Sequence, residues 1–212
     1  MNFRFPRGRE PFNGWSHLVA TVLAVIGAVI LIADAWHQGA MLYAKVFFAA
    51  TLIAAYASSA VYHLAITTPE RLRILRNIDH ACILALMVGT YIPLSVAMFS
   101  ARENIFLISG FLALQATGWL LAGNKTRRMV SSFYMTLASL PALTVPFLWN
   151  EHSQVILWFS FGSCFYLIGA YCYIRKFPKK NAYLKFHEVW HICVMLGSLV
   201  HYLVIYHLPY RP

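Results

Sequence analysis

Seven long apolar runs constrain this chain more than any other feature of it. They cover residues 14–33, 46–66, 81–99, 104–122, 129–150, 153–174 and 187–208. A helix needs about 20 apolar residues to cross a hydrocarbon core. The first six runs contain no Asp, Glu, Lys or Arg, and the seventh carries only Glu188, in its first turn. Transmembrane strands need about 10 residues of alternating polarity, and these runs are too long and too uniformly apolar for that. The runs predict an all-α fold: an integral membrane bundle of seven transmembrane helices, forming one domain over residues 1–212. Composition agrees. Only 11% of the residues are charged, against about 25% in soluble domains.

The basic residues predict an orientation. Arg4, Arg7 and Arg9 precede the first run, and Arg71, Arg73 and Arg76 lie between the second and third. Lys125, Arg127 and Arg128 follow the fourth, while Arg175, Lys176, Lys179, Lys180 and Lys185 follow the sixth. The other side has only Lys45, Arg102 and Arg211, beside Asp34, Glu103 and Glu151. By the positive-inside bias the N-terminus is cytoplasmic and the C-terminus outside. The net charge of +10 then belongs to loops facing anionic headgroups, which excludes a nucleic-acid partner. The opening segment has a basic start but no small-residue cleavage site, so the first run reads as a retained span. Cys82, Cys164, Cys172 and Cys193 sit in apolar stretches with no CxxC pair, which argues against a disulfide framework. Pro93, Pro141 and Pro146 predict kinks.

Ionisable groups inside spans are costly and usually face the bundle interior. Here they gather at the inner ends of four runs. His63 is expected one turn above the inner end of the second, Asp79 opens the third, His187 and His191 open the seventh, and Asn13 and His17 open the first. His187 and His191 are four residues apart, so they share one helix face. With His63 they make three nitrogen donors for one zinc ion, leaving the fourth position to water, the open arrangement of catalytic zinc. Asp79 is placed to hold that water or to fix an imidazole tautomer. Ser59, one turn before His63, hydrogen-bonds into the same site. The alternative is a metal-free polar cluster that ties the helices together. His17 with Asn13 reads as polar glue closing the first helix, and His201 lies about 15 Å deeper than His191. His37, His152 and His207 read as interfacial. His187-Glu188-Val189-Trp190-His191 formally matches HExxH, in which the Glu is a general base. Glu188 also fits a first-turn acid favoured by the helix N-terminus, and the start of a membrane span suits that second reading better.

Four elements in order resemble one family. They are Glu10-Pro11-Phe12-Asn13-Gly14-Trp15-Ser16-His17; Ser59-Ala60-Val61-Tyr62-His63; Asp79 with Gly89-Thr90-Tyr91-Ile92-Pro93; and His187-Glu188-Val189-Trp190-His191 with Gly197-Ser198 and His201-Tyr202. Together, over essentially the whole chain, they resemble the haemolysin-III-like bacterial branch of the progestin and adipoQ receptors. The resemblance implies a multi-pass protein of the bacterial inner membrane, with zinc on His63, His187 and His191 and Asp79 acting through the metal's water. It also implies kinship with membrane metal hydrolases of the alkaline ceramidase kind. Tyr202 stands where many relatives carry Phe.

Three functions follow as expectations. The first is a zinc-dependent hydrolase of a lipid amide or ester, with Asp79 and Ser59 as its catalytic residues and membrane lipids as its partners. The second is a lipid-sensing or membrane-homeostasis receptor with structural zinc. The third is a pore-forming cytolysin, although no amphipathic insertion segment stands apart from the seven runs. The oligomeric state stays open.

Overall fold

The computed structural model describes residues 8–100, 145–178 and 184–208, with isolated positions 103, 109, 110 and 113. Five helices carry this part of the chain: α1 (Pro11–Ala35), α2 (Ala40–Leu64), α3 (Pro69–Met98), α4 (Val145–Arg175) and α5 (Phe186–Tyr206). All five are long and apolar enough to cross a membrane, α4 from His152 onward.

The all-helical membrane class is as expected, but the count of seven spans is corrected to five among the described residues. The expected run 104–122 lies outside the described residues apart from positions 109, 110 and 113. Run 129–150 lies outside them up to residue 144, and its last residues form the short helical part of α4 that precedes a kink. Hydropathy reports the solvent that a stretch prefers. It does not say where one helix ends and the next begins, and here two helices follow each other directly across a kink. The bend falls at His152, whose backbone leaves helical geometry (φ −131°, ψ 22°). His152, expected at the interface, is buried at this bend. Pro141 lies outside the described residues.

Local signals explain most helix starts. Pro11 and Pro69 each occupy the first turn, where the missing N–H costs nothing. Thr68 is extended and its hydroxyl accepts from the Arg71 N–H (3.5 Å). α3 therefore begins well before its apolar run, and Arg71, Arg73 and Arg76 ride on its exposed opening turns. Asp79, expected to open this helix, instead lies about 15 Å along it from Pro69. Glu188 accepts from the Lys185 N–H (2.8 Å) and so satisfies one of the orphan donors at the start of α5.

α2 packs between α1 and α3, α4 runs along α5, and α5 also touches α1 and α3. Leu31, Phe48 and Ile205 are wholly buried in the seam between α1, α2 and α5. Ala20, Ala24 and Ala28 recur every fourth residue on the buried face of α1, and small side chains let helices approach closely in lipid. Val19, Leu23, Ile26, Val29 and Ile30 on its other face are exposed, a contiguous apolar patch suited to lipid.

α1, α3 and α5 begin at the end of the bundle where α2 and α4 finish. The opposite end holds a buried charge. Lys45 has no exposed surface, and its ammonium donates to Asp34 (2.9 Å) and to the Tyr206 carbonyl (3.3 Å). The sequence had placed Lys45 among loop charges; α1, α2 and α5 enclose it instead.

Candidate metal centre

His63 is in the last turn of α2, and His187 and His191 are in the first turns of α5. His63 and His191 are buried, at 1% and 2% exposure. The three rings form a nearly equilateral triangle. Their centroids are 5.0 Å apart for His63–His187, 4.7 Å for His63–His191 and 4.9 Å for His187–His191. One ring nitrogen from each lies within 4.8 Å of the others. The Nε2 atoms of His187 and His191 are 3.4 Å apart. Two nitrogens at about 2.0–2.1 Å from a tetrahedral zinc stand about 3.4 Å from each other. The donor set and its spacing thus suit a metal of the zinc type.

The outward-facing nitrogens are all engaged by the start of α1. Glu10 Oε2 lies 2.9 Å from His63 Nδ1 and 3.2 Å from His187 Nδ1. The same oxygen accepts from Asn13 Nδ2 (3.1 Å), while Oε1 accepts from Arg9 (2.7 Å). His191 Nδ1 is 2.9 Å from His17 Nε2. Glu10 is the residue just before α1, yet its side chain does not cap that helix. It turns to the histidines because its own backbone is pinned to the end of α2. The Glu10 N–H donates to the His63 carbonyl (2.9 Å), and Arg9 donates to the Tyr62 carbonyl (3.0 Å) while lying over the Tyr62 ring. Burial pushes the Glu10 carboxyl up, but the hydrogen bonds from His187 and His63 outweigh it and hold the group well below the usual carboxylate range.

Asp79 and Ser59 are both buried, with the Ser59 hydroxyl near enough to act on the Asp79 carboxyl. Ser59 and His63 are four residues apart on one face of α2. Asp79 Oδ1 has no hydrogen-bond partner among the described residues. Such an orphan is costly in a dry interior and marks a position for a ligand or water.

The structure therefore brings His63, His187 and His191 together, with Ser59 one turn before His63 on α2. Glu188 faces the helix start, as its capping bond shows. His201 serves another seam: its Nε2 lies 3.0 Å from the Phe159 carbonyl, and its ring stacks on Phe159 at 4.1 Å. His17 and Asn13 do not bond each other; each supports a different partner. Glu10 stands in the opening element that carries the resemblance, but the sequence reading gave it no role at the centre. The available signal was its spacing, since Glu10, Asn13 and His17 at i, i+3 and i+7 share one helix face.

Residues 5–202 match the family described as Haemolysin-III related. The chain is 27% identical to the hemolysin-3 homolog of Bacillus subtilis over 196 residues, covering 89% of each. It is 26% identical to the human monocyte to macrophage differentiation factor over 237 aligned positions, covering 98% of this chain and 93% of that protein. The mouse protein of the same name aligns equally well.

Proposed function

The chain belongs to the haemolysin-III related family, a branch of the progestin and adipoQ receptors, and from that premise we propose that it is a zinc-dependent hydrolase of a membrane lipid amide or ester. The observation that carries this reading is the three-imidazole centre, and a buried carboxylate on α3, Asp79, whose Oδ1 has no partner among the described residues, supports it. His63, His187 and His191 would hold the ion through their inward nitrogens. Bound there, zinc would supply Lewis acidity, which polarises a carbonyl and makes nearby water more acidic.

The chain's own residues do the rest. Asp79, with Ser59 near it, takes a proton from the attacking water at Oδ1 and returns it to the departing amine or alcohol. The water oxygen joins the acyl carbon as the C–N or C–O bond breaks. Burial of Ser59 and Asp79 keeps bulk water away, so a hydrogen bond made by either group acts in a low dielectric. An apolar groove of about 410 Å³, lined by Leu18, Thr21, Ala57, Ala60, Val61, Leu64 and Ala65, opens between α1 and α2. Its wall includes the neighbours of Ser59 and His63, which suits an acyl chain arriving from the bilayer.

The test is metal content by elemental mass spectrometry beside lipid hydrolysis, on detergent-purified protein. Wild type and Asp79→Asn are expected to carry near-stoichiometric zinc, and His191→Ala to lose it. Turnover should fall in Asp79→Asn by about 10²–10⁴-fold. A zinc-loaded wild type that cleaves neither acyl amides nor acyl esters would transfer the centre to the structural role of a lipid-sensing receptor.

A further inference from the structure

We propose that α1 sets the chemistry of the centre from outside it: Glu10 bridges His63 and His187 through one oxygen and His17 receives His191, so that all three rings present Nε2, and only Nε2, to a metal. This rests on the metal-site reading above and adds positioning residues to it.

The argument is one of hydrogen-bond direction. A carboxylate oxygen can only accept. His63 Nδ1, hydrogen-bonded to Glu10 Oε2 at 2.9 Å, must therefore be the protonated nitrogen of its ring, and His187 Nδ1, 3.2 Å from the same oxygen, faces the same acceptor. In a neutral imidazole that leaves Nε2 with the lone pair, facing the centre. A shared oxygen also couples the two rings, so helices α2 and α5 are aligned by one side chain before any ion arrives. Arg9 and Asn13 complete the carboxylate's hydrogen bonds and hold it in place.

The His17–His191 pair has two possible directions. If His17 Nε2 donates, His191 carries its proton on Nε2, which then points at His187 Nε2 (3.4 Å) and blocks ligation. If His191 Nδ1 donates, its Nε2 is free, and the His17 proton sits on Nδ1, which has no partner among the described residues. Loading the centre therefore requires the second state, in which His191 and His17 both carry their protons on Nδ1 and His17 Nε2 accepts from His191. Outer hydrogen bonds of this kind orient imidazoles, raise their basicity and typically change metal affinity by about 10–100-fold.

Glu10→Gln is the direct variant. Its amide either turns N–H groups toward two ring N–H donors or offers them a neutral oxygen while facing Arg9 with its own donors. Zinc affinity, measured on the full chain in detergent by chelator competition, is expected to weaken by about 10–100-fold. A second measurement needs no variant: 15N NMR of the zinc-loaded, histidine-labelled wild type should show Nε2 ligation and a protonated Nδ1 at His63, His187 and His191. Wild-type affinity in a folded Glu10→Gln, or Nδ1 ligation at any of the three, would overturn the proposal while leaving the metal site intact. A wild type that binds no zinc would overturn the site reading itself.

Discussion

Lys45 shows what a single side chain can cost. Its ammonium is fully enclosed, and its contacts are one carboxylate and one helix-end carbonyl. Removing one partner of a buried ion pair leaves an uncompensated charge, usually at about 3–5 kcal/mol. Asp34 keeps a third of its side chain exposed, so some water can replace it. Asp34→Ala should therefore destabilise the bundle by about 3 kcal/mol, at the low end of that range. Unfolding in mixed detergent micelles measures it. Adding Lys45→Met to that variant should recover most of the loss, because the unpaired charge goes with it. Failure of the double variant to recover would mean that the lysine stem, not its charge, fills the seam.

Between α4 and α5 the constraint is the close approach of two backbones. A Cβ on Gly197 would stand 2.6 Å from the Tyr166 ring and 3.0 Å from the Gly162 carbonyl oxygen. The ring can turn aside, but the carbonyl belongs to a helix and cannot. Tyr166 is also held by its hydroxyl, 2.7 Å from Ser198 Oγ. Gly197→Ala is thus expected to push the helices apart and cost about 1–3 kcal/mol, the usual penalty for overpacking. Thermal unfolding of the variant, with its zinc content measured in parallel, checks this. Because His187 and His191 lie more than one turn away, metal binding should survive. α1 and α5 also differ in how readable they were. The HxxxH spacing on α5 is a property of one helix. The use of Glu10 and His17 on α1 depends on residues 53 and 174 positions away in the chain, and no local pattern encodes that.

The same three helices are fastened twice. At one end Glu10, His63, His187 and His191 join the start of α1, the end of α2 and the start of α5. At the other, Asp34, Lys45 and the Tyr206 carbonyl join the remaining ends of those helices. The two clasps lie about 27 Å apart along α2. Zinc at 100 times its dissociation constant should stabilise the bundle by about 2.7 kcal/mol, seen as a loss of stability on chelation. At that separation the chelation loss and the Asp34→Ala loss should add within about 0.5 kcal/mol. A larger departure would show that the clasps communicate through the helices between them. The membrane class, the helical content and the three histidines were all legible beforehand. Hydropathy and i, i+4 spacing are short-range properties that a chain carries even before it folds. The kink at His152, the burial of Lys45, the depth of Asp79 within α3 and the turn of Glu10 toward the centre were not. Each depends on which helix ends meet, and that is settled by packing and hydrogen bonding between residues far apart in the chain.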